Sequence, residues 1–253
     1  MLSEERRREI LELLRTEGRV VVRELSKHFR TSQITIRKDL EYLHHEGHLE
    51  RTHGGALPNV TSVLQDSPLR EKERQHRAQK IRIAGAAVRK IRPGQVIILD
   101  SGTTTTAVAR ASRNIKNLTI ITNAMNIAGE LAGSSVEVIL TGGVLRQNSF
   151  SLVGPLAEES IRKLSADLLF LGVDGFDVRY GLTTPNLLEA RVNRAMTESA
   201  QRTIVVCDSS KFGRRSLSLI IPTFSVHETI TDKNIAQRDL KALREADVEV
   251  TLV

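Results

Sequence analysis

The stretch "RTSQITIRKDLEYLHHEG", residues 30–47, decides the fold of the first part of the chain. Ser32 carries a side-chain oxygen suited to cap a helix, and Gly47 is a fitting stop. At 100° per residue Ile36, Leu40 and Leu43 share one narrow face. Ile34, Thr35, Lys38 and Tyr42 point away from it, with Arg37 flanking. The first turn of the outward face therefore offers polar, basic and one apolar group, with no acid before Asp39. A helix laid in the major groove of DNA presents its N-terminal turns to base edges in this way. Arg or Lys at such a place is suited to reading guanine, and Ile34 to touching a thymine methyl. The plain alternative is a solvated face of a helical bundle, on which an exposed Ile34 would be wasteful, although single exposed apolar residues are common.

The flanking sequence favours the DNA reading. Ser3 is expected to cap a helix running to about Glu17, with Glu4 and Glu5 suited to its first turn and Gly18 as its stop. Ile10, Leu11 and Leu14 form its apolar stripe. "RVVV" is a short β-branched run, and "RELSKHF" is a short helix with Leu25 and Phe29 inward. After Gly47, "LERTHGGAL" reads as a strand, a tight His53-Gly54-Gly55 turn and a return strand. Three helices followed by such a hairpin make a winged helix-turn-helix.

Residues 7–56 resemble the DNA-binding domain of DeoR-family transcriptional regulators. The pattern runs through Ile10, Leu14, Leu25, Ser32, Thr35-Ile36-Arg37, Asp39-Leu40, Leu43, Gly47 and His53-Gly54-Gly55-Ala56. Thr31 departs from it, since the family usually has Val before the serine; a small stability cost is expected. The DNA-facing set is then Ser32, Gln33, Ile34, Thr35, Arg37 and Lys38. Arg51 and His53, near the wing, contact backbone or minor groove as the resemblance implies.

Charge is unevenly divided. Of the net +7, residues 58–95 contribute most, with 9 Lys/Arg against 3 Asp/Glu, whereas residues 96–253 balance at 17 against 17. A basic excess attracts polyanions, although a charge run is also an ordinary solvated face. Aromatics are 3% of the chain and Trp is absent, so stacking on bases or sugar rings is not expected to dominate any binding. No apolar stretch approaches the roughly 20 residues of a membrane span. "MLSEERRREI" has no apolar core behind its charges, so a secretory signal is not expected. The single Cys207 lies in an apolar run, which suits a reducing compartment. The expected setting is the cytoplasm, away from membranes.

The expected domains are a winged helix-turn-helix over residues 1–57, its helix-turn-helix at about 20–39, a linker over 58–74, and a second domain over 75–253. The linker, with two prolines and many charges, leads into a helix from Gln75 to Ile91, whose buried stripe is Ile81, Ala84, Val88 and Ile91. Beyond Arg92 apolar runs alternate with helical stretches. The runs are 96–99, 118–122, 136–140, 168–172, 203–207, 229–231 and 248–253. Uniformly apolar runs of this kind indicate a mostly parallel α/β sheet covered on both faces. Ligands of such sheets sit beyond the carboxyl ends of the strands, where small and polar residues cluster here. Asp100-Ser101-Gly102-Thr103-Thr104 is the richest cluster. Its glycine admits close approach, and its hydroxyls and helix N-terminal N–H groups satisfy a phosphate. The spacing matches neither a Walker A loop nor GxGxxG, so no nucleotide cofactor is expected; separately, no metal site is expected.

Residues 75–253 resemble the DeoR-type sensor domain, which is related in fold to ribose-5-phosphate isomerase and to sugar-phosphate deaminases. Matching positions include residues 100–104, Thr122-Asn123, Gly142-Gly143, residues 172–175, Gly181, Thr183, Glu189-Ala190 and residues 208–211. The resemblance implies a phosphorylated sugar as effector and a homo-oligomer, dimer or tetramer. Phosphate is expected on Ser101, Gly102, Thr103, Thr104 and Thr105 beside Asp100. Asn123, Asp174, Asn186, Glu189 and Lys211 are expected to read hydroxyls or the sugar head, with Gly142, Gly143 and Thr183 nearby. Residues 184–191 could rearrange on binding or simply start a helix. The relation to isomerases keeps an enzyme reading open, because Asp100, Asp174, Asp177, Glu189 and Lys211 could supply a proton-moving carboxylate and a cation. The fused DNA-binding domain favours a sensor without catalytic residues, since a shared fold does not transfer chemistry. "LFLGVDGFDVRYGLTT" and "EARVNRAM" look most like the N-acetylgalactosamine and related amino-sugar repressors, which implies an N-acetylated amino-sugar phosphate.

Overall fold

The computed structural model describes residues 2–46, 48–58 and 63–253. Gly47, expected to end the third helix, and residues 59–62 of the expected linker lie outside them. The chain divides into two compact units, Met1–Ser62 and Val63–Val253, each described by itself.

In the first unit α1 (Ser3–Glu17), β1 (Val20–Val21), α2 (Val22–His28), α3 (Gln33–His45), β2 (Leu49–Thr52) and β3 (Gly55–Pro58) follow in order. Ser3 is the first helical residue rather than the cap. The chain enters through Leu2, whose N–H donates to Glu5 Oε2 at 3.1 Å, so the acid of the first turn ties down the N-cap residue while no serine hydroxyl caps the helix. Ser32 does cap α3, its Oγ accepting from the Thr35 N–H at 3.1 Å. The β2–β3 hairpin is the expected wing, and β1 adds to the free side of β3 in the order β1-β3-β2. Gly55 permits that addition, since a Cβ there would lie 1.9 Å from the Val20 carbonyl oxygen. Ile10, Leu14, Leu25, Ile36, Leu40 and Leu43 meet in one core. Each contributes roughly 1.5–3 kcal/mol on full burial.

The second unit opens with α4 (Leu69–Arg74) and α5 (Arg77–Val88). The single helix expected from Gln75 to Ile91 is thus shorter, and residues 69–74, expected within the linker, are helical and packed into this unit. The break lies at His76, which adopts the left-handed conformation at φ +52°. Of the expected stripe, Ala84 and Ile91 are buried and Val88 is half-buried. Ile81 is exposed, while Lys80, Ile83, Ala84 and Ala87 face inward. The buried Lys80 ammonium is satisfied by the carbonyls that the break leaves unpaired, donating to Gln75 O at 2.7 Å and to Lys72 O.

There follow β4 (Val96–Leu99), α6 (Thr103–Ser112), β5 (Thr119–Thr122), α7 (Met125–Leu131), β6 (Glu137–Leu140), β7 (Val144–Arg146), β8 (Ser151–Val153), α8 (Pro155–Arg162) and β9 (Ala166–Leu171). The chain ends with β10 (Gly175–Asp177), β11 (Gly181–Thr184), α9 (Leu187–Glu198), β12 (Ala200–Val206), β13 (Ser218–Ile221), β14 (Glu228–Thr231), α10 (Gln237–Glu245) and β15 (Glu249–Leu252). The seven expected runs are the seven strands of one sheet, ordered β15-β14-β12-β9-β4-β5-β6 and parallel throughout. Alternate strand residues divide between two cores. Ile97, Leu99, Ile120 and Phe170 pack with Ile83, Val108 and Ile127 of α5–α7, and Ile98, Ile121, Leu169 and Val205 pack with Ile161, Met196 and Leu243 of α8–α10. A sheet buried on both faces is why the runs are apolar without alternation. Two small antiparallel additions, β7-β8 and β10-β11-β13, complete the unit.

Candidate functional site

Two surfaces carry the expected residues. In the first unit Ser32, Gln33, Ile34, Arg37 and Lys38 are exposed on the first turns of α3, and Thr35 is half-buried. Ile34 is 64% exposed, an apolar side chain left in water at the centre of that face. Arg51 on β2 and His53 in the turn of the wing are exposed as well. The orientation of α3 is fixed from behind. Asp39 is only 2% exposed and is clamped by Arg6 Nε at 2.6 Å and Arg7 Nε at 2.9 Å. The Arg7 guanidinium also lies 3.8 Å from the Tyr42 ring centroid. This clamp ties α1 to α3 and takes the acid out of the outward face. Its signal was present in the sequence, since an Asp three residues after Ile36 and directly before Leu40 falls on the apolar stripe and requires basic partners.

In the second unit the strand order reverses between β4 and β9, which makes their carboxyl ends the topological switch point and the place for a ligand crevice. A cleft opens there, lined by Asp100, Ser101, Gly102, Thr103, Thr104, Asp174, Thr184, Glu189 and Lys211 among others. Gly102 stands at the N-cap of α6 and has no side chain to offer, so the first-turn N–H groups of that ten-residue helix receive no side-chain cap. Thr105 and Thr106 turn their hydroxyls back onto the Gly102 carbonyl, at 3.0 and 2.6 Å, and hold the loop in shape. This is the geometry of an anion site. Beneath it Asp100 is 2% exposed and accepts the Gly172 N–H at 3.0 Å, joining β4 to β9 across the switch point. Burial above all pushes its pKa up to about 7. The Gly172 N–H opposes that rise, and the charges of Glu189 and Asp174 add to it.

The other end of the cleft is ionic. Asp174 Oδ1 receives Lys72 Nζ at 2.6 Å, and its Oδ2 receives the Thr184 hydroxyl at 3.1 Å. Burial works against the charged Asp174, but Lys72 and then Lys211 outweigh it and hold its pKa below the usual carboxylate range. Glu189 Oε1 receives Arg146 Nη1 at 2.7 Å and the hydroxyls of Ser149 and Ser151 at 2.5 and 2.8 Å. Lys80 also lines the cleft, and burial lowers its pKa to about 8.

Several expected residues stand elsewhere. Thr105 is fully buried and bonds to backbone, and Asn123 is fully buried with its Nδ2 donating to Leu152 O at 3.0 Å. Thr183 donates to Gly175 O at 3.2 Å and accepts from the Ser216 N–H, while its neighbour Thr184 faces the cleft. Asn186 caps α9 by accepting from the N–H groups of Leu188 and Glu189, so residues 184–191 are a helix start. Gly142 and Gly143 shape the turn into β7 at φ +73° and +121°. Asp177, one of the carboxylates considered for isomerase chemistry, is not among the cleft-lining residues and is held by Arg215 Nε at 2.8 Å. Lys72, Lys80, Asn148, Ser149 and Asn193 line the cleft without having been expected. Of these only Lys80 had a local signal, a lysine in line with Ile83, Ala84 and Ala87 on one helix face.

Comparison with known proteins places both units. Residues 6–61 match the DeoR-like helix-turn-helix domain, and residues 75–233 match the DeoR C terminal sensor domain. The chain is 44% identical to an aga operon transcriptional repressor of Escherichia coli O157:H7, over 99% of this chain and 94% of that one. It is 41% identical to the HTH-type transcriptional regulator GlpR of Haloferax volcanii, over 99% of this chain and 98% of that one. Among solved structures it is similar to ribose 5-phosphate isomerase A of Methanocaldococcus jannaschii, with a TM-score of 0.42, 16% identity and 55% of each chain covered. The chain belongs to the DeoR family and is a DNA-binding transcriptional regulator.

Proposed function

We propose that this DeoR-family regulator represses a carbohydrate-utilisation operon and is released from its operator by a phosphorylated sugar, in first place an N-acetylated amino-sugar phosphate. Residues 1–57 bind double-stranded operator DNA, residues 58–74 join the units, and residues 75–253 bind the effector. One observation carries the reading. A helix N-terminus without a side-chain cap sits at the switch point of a parallel sheet, in a chain whose other unit exposes the first turns of a DNA-reading helix. The phosphate sits on Ser101, Gly102, Thr103 and Thr104. Asp174, Glu189, Thr184 and Lys211 face the sugar head. Arg37, Lys38 and Ile34 read bases, with Arg51 and His53 on the backbone or minor groove.

The cleft reports occupancy and does no chemistry. The fused DNA-binding unit gives an occupied cleft something to act on, and Asp177, one of the carboxylates considered for isomerase chemistry, is bound to Arg215 outside the cleft. The amino-sugar preference rests on the 44% identity with the aga operon repressor. Among the described residues no helix is long and apolar enough to cross a membrane, and the protein works in the cytoplasm as a homo-oligomer, dimer or tetramer.

The test follows the fluorescence anisotropy of labelled DNA from upstream of the gene's own operon, with random DNA as control, over a range of salt. Binding specific to the upstream DNA is expected, with a log–log salt slope of about −0.9 per phosphate neutralised. A flat salt response, or equal affinity for random DNA, would overturn the DNA assignment. The same titration with a panel of sugar phosphates and their unphosphorylated sugars should show release by a phosphosugar alone. Conversion of an added phosphosugar without specific DNA binding would support the enzyme instead.

A further inference from the structure

Part of the cleft wall does not come from the sheet. It is the segment of residues 63–74 that leads into α4 and α4 itself, with Ser67, Leu69 and Lys72 facing inward. This segment is fastened at several points. The Leu217 N–H donates to Val63 O at 2.9 Å, and the Leu69 N–H donates to Asn148 O at 2.8 Å. Arg146 bridges Asp66 and Glu189, so one guanidinium holds both the segment and a carboxylate of the cleft. Lys72 reaches into the cleft to Asp174 at 2.6 Å. Four residues, 59–62, separate the segment from Pro58, where the last strand of the DNA-binding unit ends.

The two charged carboxylates available to sugar hydroxyls are therefore both held by cations tied to one segment. Asp174 Oδ1 is taken by the Lys72 ammonium and its Oδ2 by the Thr184 hydroxyl. A sugar hydroxyl that donates to Asp174 competes with Lys72 for the same oxygen. Losing Lys72 does not leave Asp174 an uncompensated buried charge, because Lys211 acts on it as well.

We propose that residues 63–74 are a latch on the effector site. Lys72 holds Asp174 at the hydroxyl end of the cleft, the sugar head displaces it from Asp174, and the loosened segment changes how the DNA-binding unit is tethered. This rests on the cleft being the sugar-phosphate site. It assigns the two halves of the effector different tasks. Phosphate supplies affinity at α6, and the hydroxyls, by competing with Lys72, transmit occupancy. Inorganic phosphate accordingly binds without releasing DNA.

Amide hydrogen exchange of the segment 63–74 in the full chain, read by mass spectrometry, tests this alongside calorimetric binding. The probes are inorganic phosphate and N-acetylgalactosamine 6-phosphate, or whichever phosphosugar of the panel releases DNA. In the wild-type protein the phosphosugar should speed exchange across residues 63–74, and phosphate should leave it unchanged. Lys72→Met should speed the same amides with no ligand present. It should also bind the phosphosugar about five-fold or more tightly, the range of a coupling between two states. Lys72→Arg should restore slow exchange. Weaker phosphosugar binding by Lys72→Met would show that Lys72 contacts the effector and would overturn the latch. Unchanged exchange and affinity in that variant, while the phosphosugar still releases wild-type DNA, would overturn the latch and leave the proposed function standing. If no phosphosugar binds either protein, both readings fall together.

Discussion

Replacing Asp100 by Asn should make the second unit more stable at pH 8 and change little at pH 4. Asp100 is buried where β4 meets β9, with Oδ1 on the Gly172 N–H, and an asparagine oxygen can accept the same bond. Burial raises its pKa from 3.8 to about 7. Below pH 4 the carboxyl is protonated in both the folded and unfolded chain and contributes no difference. Between pH 4 and 7 the unfolded chain loses the proton while the folded chain keeps it, so stability falls as pH rises through that window and levels off above 7. At about 1.4 kcal/mol per pH unit, a window of about three units is worth on the order of 4 kcal/mol. Urea titrations of both proteins at several pH values, followed by circular dichroism, give the difference in midpoint multiplied by m. The account expects the advantage of Asp100→Asn to grow by a few kcal/mol from pH 4 to 8 and then stay constant. An advantage independent of pH would show that Asp100 is ionised throughout and that the carboxyl beneath the phosphate loop is not held neutral by burial.

Three further substitutions probe the two surfaces. Arg37→Ala should lose about 1–3 kcal/mol of discrimination between operator and mismatched DNA in competition binding, whereas an equal loss on random DNA would place Arg37 on phosphate. Asp39→Ala leaves the part-buried Arg6 and Arg7 without their shared acceptor and should cost about 3 kcal/mol in thermal or urea unfolding of the first unit; a cost near zero would remove the clamp from the account. Lys211→Ala should raise the phosphosugar concentration needed to release DNA while leaving operator affinity intact, and unchanged release would take Lys211 out of the effector site.

The large sheet was legible because its physics is local. The central strands are buried on both faces and so read as apolar runs without alternation, and each of the seven runs falls on a strand of the sheet. The small strands were not, since "GFD" at 175–177 and "GLTT" at 181–184 carry no run and owe their pairing to one another and to β13. The stripe expected at α5 held at Ala84 and Ile91 but not at Ile81, because the inward place one turn before Ala84 is taken by Lys80, whose ammonium bonds to carbonyls at the break before α5. At the candidate site, the loop at residues 100–104 showed itself through small and hydroxyl-bearing residues beside a strand end. The cations that complete the cleft did not, because Lys72 reaches Asp174 across 102 residues of sequence and Arg146 reaches Glu189 from a short hairpin. Asn123 and Asn186 sit at the right ends of strands and helices but spend their amides on backbone, which only the fold reveals.

The central claim, that one equilibrium joins the cleft to the DNA-reading helix, is tested most directly by calorimetric titration of the releasing phosphosugar into the free protein and into its saturated operator complex. Linkage requires that DNA weaken the phosphosugar by the same factor by which the phosphosugar weakens DNA, about 5- to 150-fold for a coupling of usual size. Matching factors are the predicted result. Equal phosphosugar affinity with and without operator would contradict the account, since a ligand indifferent to bound DNA cannot be what releases it.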